Sequence, residues 1–205
     1  MEPWVLLGKI TPAAAAFLSG GMVLLERRGA LILTLGGAYG LMGALALSHL
    51  ALPAGLAKVL VGILVCGILI LARIGGARGT YRGEQRGSIP QGRAFRLVAC
   101  LLVGSVGLGL GQTQAAFFAE IPPTLRQSSI YLLVFGLLGL GLFQDTFRHG
   151  LGLLIMLIGF DLAYSVLEPS LAIVALMAMV HLGIALALVY LESMEAQEPS
   201  GEAAS

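Results

Sequence analysis

Charge is scarce in this sequence. Only 11% of its 205 residues are Asp, Glu, Lys or Arg, well below the ~25% with which soluble domains cover themselves. Water is therefore not the solvent for most of the chain. Cysteine is nearly absent, and the two present, Cys66 and Cys100, fall inside apolar runs. That placement excludes a disulfide framework and reads as buried thiols acting as small hydrophobes. There is no CxxC, no HExxH and no His/Cys cluster, so no metal and no cofactor is expected. Aromatics make up 7% of the chain and no basic face accompanies them, which removes nucleic acid from the expected partners. No strand precedes any of the glycines, so a nucleotide-binding loop is not supported. No nucleophile has an adjacent base, which leaves no catalytic residue to name and makes a membrane-embedded enzyme the weakest reading. The start lacks the basic opening of a signal peptide, since Glu2 precedes Trp4; the first apolar stretch is expected to be retained as a helix.

Apolar residues dominate, at 58% of the chain with a mean hydropathy of +0.94. Runs long enough to cross a bilayer, ~20 residues each, fall at 3–25, 30–51, 54–73, 97–118, 128–145, 150–168 and 170–191. The fold class is therefore all-α: a polytopic transmembrane bundle of about seven helices, forming a single domain over residues 1–191. Glu26 to Gly29 separates the first two runs, Leu52 and Pro53 break the second from the third, and Pro122 with Pro123 closes the fourth, because proline stops a helix. Glu168 and Pro169 make the last tight turn. Two segments are too polar for lipid: a glycine-rich basic loop over 74–96, and an acidic, small-residue tail over 192–205 that is expected to be disordered.

The arginines set the orientation. With the N-terminus outside, the cytoplasmic connections hold Arg27, Arg28, Arg73, Arg78, Arg82, Arg86, Arg93, Arg96 and Arg148, while the outer loops hold Arg126. The positive-inside rule then gives N-out, C-in, which requires an odd number of spans. Glycine is plentiful, 29 residues, and clusters inside the runs at Gly104, Gly107, Gly109 and Gly111 and at Gly136, Gly139 and Gly141. In lipid such residues let helix backbones approach closely.

An ionised side chain at mid-bilayer costs roughly 2.5 to 3.5 kcal/mol on the insertion scale, so each one demands a reason. Asp161 falls near the middle of the sixth run, and Asp161, Tyr164, Ser165 and Glu168 stand on one helical stripe. That stripe must face protein or water. His181 lies near the centre of the seventh run, and the short turn at Pro169 makes the two runs antiparallel neighbours. A hydrogen-bonded Asp161 and His181 pair is one expectation; a His181 that only bonds a neighbouring helix is the other. A histidine beside a desolvated carboxylate is equipped to exchange protons. Lys58 and His49 lie toward the outer ends of the third and second runs. Snorkelling would explain Lys58 without any function. The proton-exchange candidates are thus Asp161, His181, Glu168 and Lys58, with Tyr164, Ser165 and His49 as supporting polar groups.

The segment Arg148, His149, Gly150 and then LGLLIMLIGFDLAYSVLEPS resembles the second helix of the K subunit of respiratory complex I. That family has a basic cytoplasmic turn, an apolar run, and a glycine, one apolar residue and a membrane-embedded glutamate. Gly159, Phe160 and Asp161 occupy those places here, with aspartate for glutamate. The run HLGIALALVYL resembles the family's third helix, and His181 falls close to its second carboxylate position. Earlier in the chain, Arg27 and Arg28 form a similar basic turn, followed by Gly36, Gly37, Ala38 and Tyr39 where an acid would be expected. The chain then reads as three helices, a linker helix and three helices, with the triplets parallel. In length and helix number it also resembles the E subunit of membrane-bound multisubunit hydrogenases. The likeness lies mainly over 145–191.

The resemblance implies an accessory subunit of a complex-I-like, hydrogenase-like or cation/proton antiporter assembly. Such a subunit would contribute protonatable groups to proton translocation, have no redox cofactor of its own, and lie among antiporter-like integral membrane subunits in the lipid bilayer. The expected location is a cell membrane, crossed several times, of prokaryotic inner or plasma type. Two other readings stand beside it: a free-standing small transporter built from two triplets, and a structural or assembly protein whose buried charges neutralise each other.

Overall fold

The computed structural model describes residues 3–25, 27–49, 52–76, 92–113, 121–143, 145–168 and 170–195. They form seven α-helices: α1 (Pro3–Leu24), α2 (Arg28–His49), α3 (Leu52–Gly76), α4 (Arg93–Gln112), α5 (Pro123–Leu142), α6 (Thr146–Leu167) and α7 (Leu171–Glu195). No strand occurs among the described residues. Six of the helices, α2 to α7, are long and apolar enough to cross a membrane, and α1 adds a further 22 residues. The chain is a multi-span helical membrane protein.

Helix ends depart from the sequence expectation where polar residues turn out to be helical. The fourth helix, expected over 97–118, spans Arg93–Gln112 and closes where the Thr113 N–H donates to the Leu110 carbonyl. Pro123 does not end that helix; it opens α5, at the first helical position where its missing N–H costs nothing. The polar residues after it stay helical because they have partners. Ser128 Oγ donates to the Thr124 carbonyl, while Arg126 Nε and Gln127 Nε2 donate to the carbonyls of Gly111 and Gly107 on α4. The tail expected to be disordered from 192 is helical to Glu195, and residues 196–205 lie outside the described residues. So does most of the basic loop, since α3 runs on to Gly76 and α4 starts at Arg93.

The helices assemble as two triplets. α1 packs on α2 and α2 on α3; α5 packs on α6 and α6 on α7; and across the bundle α1 meets α5, α2 meets α6 and α3 meets α7. The fourth helix lies outside this pattern, against α5 and α1. Ion pairs at one end fix the direction of each triplet. Arg28, opening α2, reaches Glu192 near the end of α7 at 2.9 Å and Asp145, just before α6, at 3.7 Å. The Arg73 guanidinium, from the last turn of α3, lies over Gly29. The starts of α2 and α6 and the ends of α3 and α7 therefore share this charged end, and the triplets are parallel. With the Arg28 side chain 43% exposed, these pairs are of the interfacial kind that contributes little. Arg28→Gln is accordingly expected to change stability by about 1 kcal/mol or less, measured by denaturant titration in micelles.

The core is aliphatic, with Leu35, Met42, Leu132, Leu151, Ile155 and Leu162 fully buried. Its closest seam lies between α5 and α6. A Cβ on Gly136 would fall 2.5 Å from the Met156 backbone nitrogen, and one on Gly159 would fall 2.7 Å from the Ser129 carbonyl oxygen. Gly141 and Gly109, by contrast, face open space, so only part of the glycine pattern serves packing.

Candidate functional site

At the end of the bundle opposite the ion pairs, the interior becomes polar. Asp161 lies about two turns from the C-terminal end of α6, and Lys58 about two turns into α3, which runs the other way. The two meet: Lys58 Nζ is 2.6 Å from Asp161 Oδ2. Their side chains are 2% and 5% exposed, so the pair is closed off from the surroundings of the bundle. Ser165, one turn further along α6, sets its hydroxyl over the Asp161 backbone carbonyl and 3.2 Å from Oδ1. The carboxylate thus has a cation on one oxygen and a hydroxyl near the other.

One turn deeper lies a second contact. His181, about three turns into α7, and Tyr39, about three turns from the end of α2, meet ring edge to ring face with centroids 5.8 Å apart. His181 Nδ1 is 2.8 Å from the Met177 carbonyl oxygen. A carbonyl can only accept, so Nδ1 carries the hydrogen, and when the ring is neutral Nε2 is the acceptor. Gly62 gives Tyr39 its place, since a Cβ there would fall 2.7 Å from the Tyr39 Cβ.

The four residues come from corresponding elements. Tyr39 and Asp161 sit on the second helices of the two triplets, and Lys58 and His181 on the third. Both contacts, Lys58 with Asp161 and Tyr39 with His181, cross from one triplet to the other. Three of the groups keep unused capacity among the described residues: there Lys58 Nζ has no acceptor besides its ion-pair partner, and Tyr39 Oη and His181 Nε2 are buried without hydrogen-bond partners. Buried polar groups are normally satisfied, so these atoms have capacity for further hydrogen bonds. The cluster combines an acid, a base, a phenol and an imidazole, groups able to give and take protons.

The sequence candidates separate accordingly. Asp161, Lys58, His181 and Ser165 come together in the interior. The carboxylate's ionic partner is Lys58, and His181 makes its hydrogen bond to its own helix. Lys58 is buried against Asp161, not snorkelling toward an interface. Asp161 lies in the second half of α6, still nearer its middle than its end, since α6 spans Thr146–Leu167. Glu168 is exposed at the C-cap of α6, and Tyr164 stacks on Phe160, with ring centroids 5.6 Å apart. His49 is the last residue of α2, and its side chain lies outside the described residues. Tyr39 was missed as a site residue: it follows the Arg27–Arg28 turn much as Asp161 follows the Arg148–His149 turn, but out of step by one position and without a charge to mark it.

The described residues hold no group of three or more His, Cys, Asp or Glu side chains able to bind a metal ion. No family model, curated protein or solved structure matches the chain.

Proposed function

We propose that this chain is an accessory subunit of a proton-translocating membrane assembly, complex-I-like, hydrogenase-like or of the cation/proton antiporter type, in a prokaryotic cell membrane. Antiporter-like integral membrane subunits are its partners. Its part in the chemistry is to hold and pass protons at the Lys58–Asp161 pair and at the neighbouring Tyr39 and His181. The observation that carries the reading is that pair: a lysine and a carboxylate 2.6 Å apart in the interior of a membrane bundle, where unneeded charge is strongly disfavoured. A proton on Lys58 Nζ can pass to Asp161 Oδ2, leaving both groups neutral, and return. The Nε2 lone pair of His181 and the Tyr39 hydroxyl extend the set by one turn along the membrane normal. In this reading the arginine-rich end faces the cytoplasm, so the Lys58–Asp161 pair belongs to the outer half of the bilayer.

The test is Asp161→Asn in membranes that contain the native assembly. Coupled proton movement is expected to fall by about 10²-fold, the low end for loss of a proton-transfer group, with Asp161→Glu retaining much of it. Undiminished pumping in Asp161→Asn would reject the role. Co-purification in mild detergent should bring down other multi-span membrane proteins. The location of all four groups between parallel triplets also suits a free-standing transporter. Ion-driven uptake by the purified chain alone in liposomes would favour that reading over the subunit.

A further inference from the structure

A groove of about 840 Å³ runs along α2 and α3, with Leu18 of α1 as part of its wall. Its lining includes Ile32, Gly36, Cys66, Ile70 and Arg73, and Arg73 is its one charged member. Leu33 and Ile74, which flank it, are 78% and 68% exposed, so it opens sideways, toward the bilayer. From Arg73 to Cys66 it follows α3 for about 10 Å.

The chemistry changes sharply at the Arg73 end. Arg73 is exposed, and its guanidinium lies over Gly29, where the first-turn amides of α2 leave partial positive charge. The neighbouring Arg28 is tied to Glu192 and Asp145, but Arg73 has no carboxylate partner among the described residues. Exposed Arg27 lies two positions before Gly29 in the chain. The groove thus presents positive charge at the arginine-rich end and a mainly apolar channel along the rest.

We propose that this groove binds an anionic glycerophospholipid, with the phosphate against Arg73 and the start of α2 and an acyl chain laid over Gly36 toward Cys66. The charge selects the headgroup, and the two glycines leave the depth for the chain. A Cβ on Gly36 would meet only Cys66 Sγ, at 3.6 Å, so a larger side chain there fills the groove without striking backbone. On Gly37 it would strike Leu18, at 2.8 Å, so Gly36 is the position to fill. The proposal is independent of the proton-exchange reading.

The experiment is native mass spectrometry of the full-length chain in non-ionic detergent, titrated separately with phosphatidylglycerol and phosphatidylcholine. The wild-type chain is expected to retain one phosphatidylglycerol more tightly than phosphatidylcholine. Arg73→Gln should weaken phosphatidylglycerol by about fivefold, as expected for one basic residue near a charged surface, and leave phosphatidylcholine unchanged. Arg73→Lys should restore most of the loss. Gly36→Leu should weaken both lipids, with its melting temperature in the same detergent serving as the check on folding; if it does not fold, the Arg73 variants decide. Equal retention of the two lipids by wild type overturns the proposal, as does phosphatidylglycerol retention that Arg73→Gln leaves intact.

Discussion

Lys58→Met is expected to destabilise the bundle by about 3–5 kcal/mol, the usual result of removing one partner from a buried ion pair. The loss comes mainly from what is left behind: Asp161 would remain 3% exposed with the Ser165 hydroxyl as its nearest support. Asp161→Leu should be similarly damaging, because an ammonium is then stranded. The double variant Lys58→Met/Asp161→Leu is expected to recover most of that stability, since two apolar side chains of similar volume need no mutual compensation. Denaturant titration of the four proteins in one detergent forms a double-mutant cycle, and a coupling energy near zero would show that the 2.6 Å contact is energetically idle. The same variant separates function from structure. If Lys58 and Asp161 only hold helices together, the double variant should support proton movement in the native assembly; if they exchange protons, it should be stable and inactive.

Gly159→Val should weaken the bundle by about 3 kcal/mol or more, at or above the upper end of overpacking effects. The added atoms meet the Ser129 carbonyl oxygen and the Leu133 nitrogen, at 2.7 and 2.8 Å from the first of them. These are backbone atoms of a neighbouring helix, which cannot swing aside as a side chain can. Gly136→Val meets the Met156 backbone in the same way, at 2.5 and 2.7 Å. Gly109→Ala and Gly141→Ala are the controls, because a Cβ at either meets nothing within 4 Å; each is expected to leave stability unchanged or raise it by up to about 1 kcal/mol, since alanine favours a helix over glycine. Equal losses at all four positions would mean that close approach to a neighbouring backbone does not decide the effect.

The membrane-spanning helical architecture was legible because it follows from solvent. Apolar runs of spanning length between arginine-rich turns have few other physical outcomes. Helix ends were less legible where polar side chains find partners on another helix. Arg126 and Gln127 read as loop residues, yet their donors end on α4 carbonyls, a relation that no local pattern encodes. The buried position of Asp161 was legible from the cost of placing it in lipid, but its partner was not. The short turn between α6 and α7 made His181 the natural choice. Lys58 instead arrives from α3, because the triplets pack α3 on α7 and α2 on α6. Tyr39 went unread as a site residue for a related reason: a phenol carries no charge, and only its place opposite His181 gives it chemical weight.

The glycine seam has a mechanical corollary for the charge pair above it. Gly159 presses α6 against α5 two positions before Asp161, so the carboxylate is carried by a strut with little freedom to shift. Its counterpart rides on four methylenes of lysine. Any make-and-break of the contact then falls to the swing of that tether, as fast as a side chain can turn in a crowded interior, without the bundle having to change shape.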